Sequence, residues 1–136
     1  MSSKRDQKKI NFDNYADNYK DHITKSLGNL EDNLNYYHIK KSEILKKELG
    51  YRPKKILDLG CGVGTMLELL IKNFQGSVFY AYDESKKSME YIKKKFPDIN
   101  CLDNLETNEK FDLIFISAVV HHVKSGDRND LFKNIY

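Results

Sequence analysis

Three glycines at alternate positions, Gly60, Gly62 and Gly64, follow an acid at Asp58 and the apolar run Ile56-Leu57. No other feature of the chain restricts its fold as tightly. An apolar strand ending in a glycine-rich turn lets the backbone take positive φ and leaves bare main chain against which a small ligand can lie. The next stretch, Thr65 to Lys72, consists of good helix formers with apolar side chains spread around it. The unit reads strand, glycine turn, helix N-terminus, which is half of a nucleotide-binding βαβ unit.

The surrounding pattern alternates in the same way. An amphipathic helix is expected over Tyr36 to Leu49, with Tyr37, Ile44, Leu45 and Leu49 on one side and Gly50 as the residue that ends it. Strands are expected at Lys55 to Leu59, Val78 to Tyr82, Ile99 to Leu102 and Phe111 to Ser117. Helices fill the intervals to Phe74 and from Ser85 to Phe96, where Pro97 closes the second, and another helix begins near Arg128. Strands alternating with helices mean an α/β fold with a parallel sheet and crossover helices. At 136 residues the chain is the size of one domain. Its first ten residues read as a polar tail, followed by aromatics at helical spacing, Phe12, Tyr15 and Tyr19.

Composition narrows the functional classes. A hydrophobic content of 40% suffices for a packed core, and 32% charged residues give a well-solvated surface. The longest near-continuous apolar run, Leu113 to Val120, is too short to cross a membrane, is interrupted by Ser117, and reads as a buried strand. No apolar segment backs the charged N-terminus, so a cytoplasmic location is expected. Cys61 and Cys101 form neither a disulfide framework nor a metal-ligand cluster and are expected as free thiols. A net charge of +3, with lysine clusters such as Lys93-Lys94-Lys95 interspersed with acids, is too weak to argue for nucleic acid.

Asp83 closes the second expected strand, nineteen positions after Gly64. A carboxylate at the carboxyl end of the neighbouring strand can accept from both ribose hydroxyls, although the same residue could instead cap the helix beginning at Ser85. The turn is G-x-G-x-G rather than the G-x-G-x-x-G of dinucleotide sites, which disfavours a pyrophosphate. Together, Ile56 to Gly64, Tyr82-Asp83 and Phe111-Asp112-Leu113-Ile114 resemble the class I S-adenosylmethionine-dependent methyltransferase family. Phe12 to Tyr19 is similar to the N-terminal helix of many members, and Val120-His121-His122-Val123 to a common sequence after their fourth strand.

The resemblance implies a Rossmann-like parallel sheet with flanking helices, of which four strands are present from a seven-strand sheet, so that the chain is expected to be the N-terminal part of a longer protein or, as the second account, a short protein that pairs through its sheet edge with itself or another chain. Residues 1–50 would form the tail and lid helices, and 51–136 the partial cofactor-binding domain. The implied cofactor is S-adenosylmethionine. Gly60, Cys61, Gly62 and Gly64 would border its methionine part, with the Gly60 carbonyl and Asp58 near the ammonium. Asp83 would take the ribose, Leu102 would flank the adenine, and Asp103 would accept from the exocyclic amine. Ser117 and Ala118 would form the wall facing the sulfonium. Tyr19, with Tyr15, would lie over the cofactor as a lid, unless this aromatic stripe is plain core.

Methyl transfer mainly requires that the acceptor be held close and in line. No catalytic residue is obligatory, but a base helps where the acceptor is protonated, and His121 and His122, whose side chains titrate near neutrality, are the catalytic candidates; the alternative is that one packs under the loop and satisfies a backbone group. Family members that methylate exocyclic amines of bases resemble one another in an Asn/Asp-Pro-Pro-aromatic motif where this chain has Ser117-Ala118-Val119-Val120. A base in nucleic acid is therefore not the expected acceptor; small metabolites, lipids, sugars and protein side chains stay open, with an unidentified small molecule as the leading expectation. The fourth strand, ending the sheet, would be an apolar edge open to pairing with a second copy. Two other readings stay open, a non-catalytic cofactor-binding or interaction module, and a nicotinamide-dependent oxidoreductase, which the glycine spacing disfavours.

Overall fold

In a computed structural model, the structure describes residues 30–117 together with 127, 129, 130 and 133. Helix α1 (Leu30–Leu49) leads into strand β1 (Lys55–Leu59), followed by α2 (Thr65–Asn73), β2 (Val78–Tyr82), α3 (Lys86–Lys95), β3 (Asn100–Cys101) and β4 (Leu113–Ile116). All four strands are parallel and lie in the order β3-β2-β1-β4. The α/β expectation holds, and the expected bounds of β1 and β2 coincide with those observed.

Strand alternation sorts the core onto two faces. Ile56, Phe79 and Ala81 belong to a buried cluster with Leu67, Leu70 and Phe74 of the α2 region and Met89 and Ile92 of α3. Leu45 and Leu49 of α1 and Leu113 and Phe115 of β4 pack against it. The opposite face carries Leu57, Leu59 and Tyr80, against which Leu105, Phe111, Ile114 and Ile116 pack. Asp58 has the parity of Ile56 along β1, so its carboxylate points to the helix-bearing face.

Helix α1 differs from its sequence expectation. It begins at Leu30 rather than Tyr36, and Tyr37 and Ile44 are 59% and 58% exposed rather than buried. The face turned inward instead runs through His38, Ser42, Leu45 and Leu49, at helical spacing. Ser42 fixes that rotation. Its fully buried hydroxyl donates to Ile39 O at 2.7 Å and accepts from Asn73 Nδ2 at 2.9 Å, so a small polar side chain, invisible to a hydrophobic pattern, sits at the contact with α2.

Strand β4 is shorter than expected at its start because Asp112 takes over there. The Asp112 carboxylate accepts the N–H groups of Lys54 and Lys55 at 2.8 and 2.9 Å, while its own N–H donates to Lys55 O at 2.9 Å. A side chain thus satisfies the donors that enter β1, and the regular ladder between β1 and β4 begins at the pair Ile56 and Leu113. Within the described residues β4 is the edge of the sheet, as expected. No helix there is long and apolar enough to cross a membrane.

Candidate cofactor site at the carboxyl edge of the sheet

Register brings the expected site residues to one edge. Leu59 is level with Tyr82 on one side and with Ile116 on the other, so Gly60, Asp83 and Ser117 each follow the same row. Ala81 is level with Cys101, so Leu102 and Asp103 leave β3 at the same edge of the sheet. The Leu102 N–H donates to Ala81 O at 2.9 Å and extends the pairing to that edge. Leu102 is half-buried, Asp103 exposed and Ser117 half-buried. In open α/β sheets ligands bind outside the carboxyl ends of the strands.

The turn after β1 folds over the end of β2. Tyr82 O accepts from both Gly60 N–H at 2.7 Å and Cys61 N–H at 3.1 Å, and Gly64 N–H donates to Cys61 O at 2.9 Å. Gly60, Gly62 and Gly64 all have positive φ, at 77°, 54° and 83°. Gly64 is also the residue that caps α2, accepting the first helical bond from Glu68 N–H at 2.9 Å.

The glycines differ in what surrounds them. A Cβ on Gly62 would meet no atom within 4 Å, so bare backbone there faces open space. A Cβ on Gly64 would stand 2.7 Å from Ile92 Cδ1 and from Phe96 Cε2. Gly64 therefore lets the turn lie close against the helix α3 region, whereas the sequence assigned all three glycines to a ligand. The side chain of Cys61 also serves packing. It is buried in the helix-side cluster with Sγ 4.0 Å from Met89 Sδ, and burial raises its pKa, so the thiol stays neutral and turned into the core. The positive φ at Gly60 interrupts the strand alternation that would put Cys61 on the face of Leu57 and Leu59, and the turn brings its side chain to the helix-bearing face instead.

Asp83 ties the two loops together. Its Oδ2 accepts from Gly62 N–H at 2.9 Å and its Oδ1 from Ser85 N–H at 2.8 Å, while the Ser85 hydroxyl caps α3 by accepting from Ser88 N–H at 3.2 Å. The helix cap and the ligand-facing carboxylate were competing readings of Asp83; in the fold Ser85 is the cap and Asp83 holds the cap and the glycine turn in place. The bond to Gly62 had no trace in the sequence, because it joins residues on different strands.

Asp58 lies beneath the turn. It is 2% exposed, and its Oδ2 has no hydrogen-bond partner among the described residues. Burial, with a smaller push from the nearby Asp83 carboxylate, raises its pKa to about 7. An unpartnered buried carboxylate oxygen is costly, and it is the kind of group that a cationic ligand satisfies. Beside it the open backbone at Gly62 and the half-buried Asp83 carboxylate offer room and acceptors for a polar ligand with hydroxyl and ammonium donors. Two carboxylates so close, with no lysine, arginine or histidine acting on Asp58 among the described residues, favour a ligand carrying positive charge.

Tyr15, Tyr19, Ala118, His121 and His122 lie outside the described residues. The described residues contain no group of three or more His, Cys, Asp or Glu side chains placed to hold a metal ion. Cys61 and Cys101 are free, as expected.

Residues 57–136 match the family described as Methyltransferase domain. Over 113 residues the chain is 29% identical to malonyl-[acyl-carrier protein] O-methyltransferase 1 of Ilyobacter polytropus, covering 75% of this chain and 41% of that protein. Over 81 residues it is 27% identical to (S)-coclaurine N-methyltransferase of Papaver somniferum, covering 53% and 23%. The chain thus spans less than half the length of these two relatives. Among solved structures, magnesium protoporphyrin IX methyltransferase from Synechocystis with bound S-adenosylmethionine superposes with a TM-score of 0.70 at 16% identity, over 99% of this chain and 73% of that one. That likeness is one of fold.

Proposed function

The chain belongs to the methyltransferase-domain family, and from that footing we propose that it forms the cofactor-binding part of an S-adenosylmethionine-dependent methyltransferase acting on a small-molecule acceptor. The observation that carries this reading is the pairing of an unpartnered, buried Asp58 Oδ2 with a glycine turn whose backbone is open at Gly62 and is held there by Asp83.

The donor set fits S-adenosylmethionine. Asp58 would face the ammonium, with the Gly60 carbonyl beside it, and the Asp83 carboxylate, which keeps lone pairs free beyond its two backbone bonds, would accept from the ribose hydroxyls. Leu102 would lie against the adenine, Asp103 would accept from its amine, and Ser117 would border the sulfonium. When bound, the cofactor supplies an activated methyl group on a positively charged sulfur. What the chain contributes is placement, and a well-oriented pair of reactants gains roughly 7–11 kcal/mol at most over a chance encounter. The backbone bonds between the turn, β2 and α3 supply that rigidity before the ligand arrives.

Residues 51–136 would form the cofactor-binding portion, with the N-terminal 50 residues contributing a lid through Tyr19. His121 and His122, just past β4, would take a proton from an oxygen or nitrogen acceptor. The names of the related proteins point to an acyl-carrier-bound acid, an alkaloid amine and a porphyrin, so they do not converge on one acceptor. A cytoplasmic location and self-pairing through the β4 edge belong to the same proposal, the first supported by two free thiols and the second by the position of β4 at the end of the sheet.

Calorimetric titration of the 136-residue chain with S-adenosylhomocysteine, with NADH in a parallel cell, tests the reading. Binding of the first without the second is expected. Absence of S-adenosylhomocysteine binding, or tighter binding of NADH, would overturn it.

A further inference from the structure

We propose that occupation of this site is coupled to a proton on Asp58: a ligand ammonium placed beside its buried, unpartnered Oδ2 drives a proton off the carboxyl group. The inference rests on the cofactor reading above and adds to it a pH-dependence of affinity.

The geometry leads to it. Asp58 stands one residue before the carboxyl end of β1, an inner strand paired to β2 and β4, and on its own row its neighbours across the sheet are Ala81 and Phe115. Close to it lies the glycine turn, and the cluster buried on the same face draws the apolar side chains Leu67 and Leu70 from α2 and Met89 and Ile92 from α3, which also buries Ser88. Water is excluded to 2% exposure, and Oδ2 meets no donor. The titratable groups that act on it or are acted on by it among the described residues are the Asp83 carboxylate, beyond the end of β2, and the Cys61 thiol, in the turn. Neither can neutralise a carboxylate. Desolvation and a like-charged neighbour both favour the neutral acid, and the pKa of Asp58 is raised to about 7 accordingly.

A cation arriving next to Oδ2 reverses both effects. It supplies the missing donor and an opposite charge, so the carboxylate becomes the favoured form and the proton leaves to buffer. Affinity then rises with pH until Asp58 is ionised before binding. Below neutrality each unit of pH costs a cationic ligand about tenfold in affinity, over the range in which the acid is protonated free but ionised when bound. A ligand with the same adenosine part and no ammonium has no such dependence.

Titration of the 136-residue chain with S-adenosylhomocysteine at pH 7, in phosphate and in Tris, reads the coupling directly, because the two buffers take up protons with very different heats. About half a proton is expected to be released per ligand bound, and affinity should fall several-fold between pH 7 and pH 6. Methylthioadenosine, which lacks the amino-acid part, should show the same heat in both buffers after correction and a flat pH profile. Equal heats in the two buffers for S-adenosylhomocysteine, or equal proton release with methylthioadenosine, would overturn the coupling while leaving the cofactor reading intact. No heat with either ligand would overturn both. A carboxyl-carbon NMR titration of the unliganded chain gives a readout independent of binding: Asp58 should titrate near neutrality, and a midpoint in the ordinary carboxylate range would overturn the proposal. In Asp58→Asn the ligand-linked proton release should vanish, and its persistence would place the proton elsewhere.

Discussion

The Gly62 N–H donates to Asp83 Oδ2 at 2.9 Å, and so joins the turn after β1 to the loop after β2 through a single carboxylate. The second oxygen of Asp83 holds Ser85 N–H at 2.8 Å. A residue expected to meet a ribose therefore also shapes the surface on which a ligand would rest. The two roles separate by experiment. Asp83→Ala strands two backbone donors and is expected to lower unfolding free energy by about 1–2 kcal/mol, since both are only partly buried. Its affinity for S-adenosylhomocysteine should drop by at least about tenfold, some 1.4 kcal/mol. Calorimetry and a denaturant midpoint on the same preparation check both. Unchanged affinity would remove Asp83 from the ribose site.

The glycine turn offers a sharper contrast. Gly62→Ala meets open space and carries only the cost of a left-handed conformation, about 1–2 kcal/mol. Its new methyl group would occupy the place a ligand needs, so binding should suffer far more than stability. Gly64→Ala carries the same backbone cost and adds contacts of 2.7 Å with Ile92 and Phe96. Overpacking of this kind adds about 1–3 kcal/mol, so the thermal midpoint should fall further in Gly64→Ala than in Gly62→Ala. Equal losses of stability would mean that α3 yields to the extra methyl group.

The central unit was legible because its cause is local. Apolar β1 and β2, the turn residues that need positive φ, and Pro97 after α3 each announce themselves within a few positions. What stayed hidden depends on contacts between distant residues. The orientation of α1 follows from Ser42 meeting Asn73, the start of β4 from Asp112 meeting Lys54 and Lys55, and the fixed shape of the turn from Asp83 meeting Gly62. All three are polar side chains spending their hydrogen bonds on another element, which a hydrophobic period does not record. Gly64 and Cys61 illustrate the converse case, in which individual members of a short motif serve packing.

Asp112 is the member of that group whose removal is simplest to interpret. Its carboxylate is the partner for two consecutive N–H groups where the chain enters β1, and it pins the first residue of β4 to that point. The site is exposed to solvent, so water can replace part of what is lost. Asp112→Ala is expected to cost about 1–2 kcal/mol, with Asp112→Asn costing less because one acceptor oxygen survives. Urea unfolding of the two variants measures the order, and a loss from Asp112→Asn equal to that from Asp112→Ala would show that charge rather than hydrogen bonding matters there.

Asp58 contributes a pH-dependence to the stability of the fold. In the folded chain its pKa is raised to about 7, against ~3.9 in an unfolded chain, so between those values the folded state holds a proton that the unfolded state has released. Stability attributable to this group is therefore greatest below about pH 4 and declines as pH rises toward 7, above which it is constant. A shift of that size corresponds to roughly 4 kcal/mol as an upper bound, because relaxation and water entry in the real interior reduce it. Asp58→Asn removes the ionisation while keeping the shape, and is expected to raise the thermal midpoint of the unliganded chain at pH 8. The advantage should shrink by pH 5, where the wild-type carboxyl group is already neutral. The same substitution should weaken binding of S-adenosylhomocysteine at pH 8, so that the residue which destabilises the empty fold is the one that stabilises the occupied one. Thermal unfolding of both proteins at pH 5 and pH 8, with and without ligand, measures all four corners; a midpoint difference that does not change with pH would mean that Asp58 keeps its charge in the folded chain.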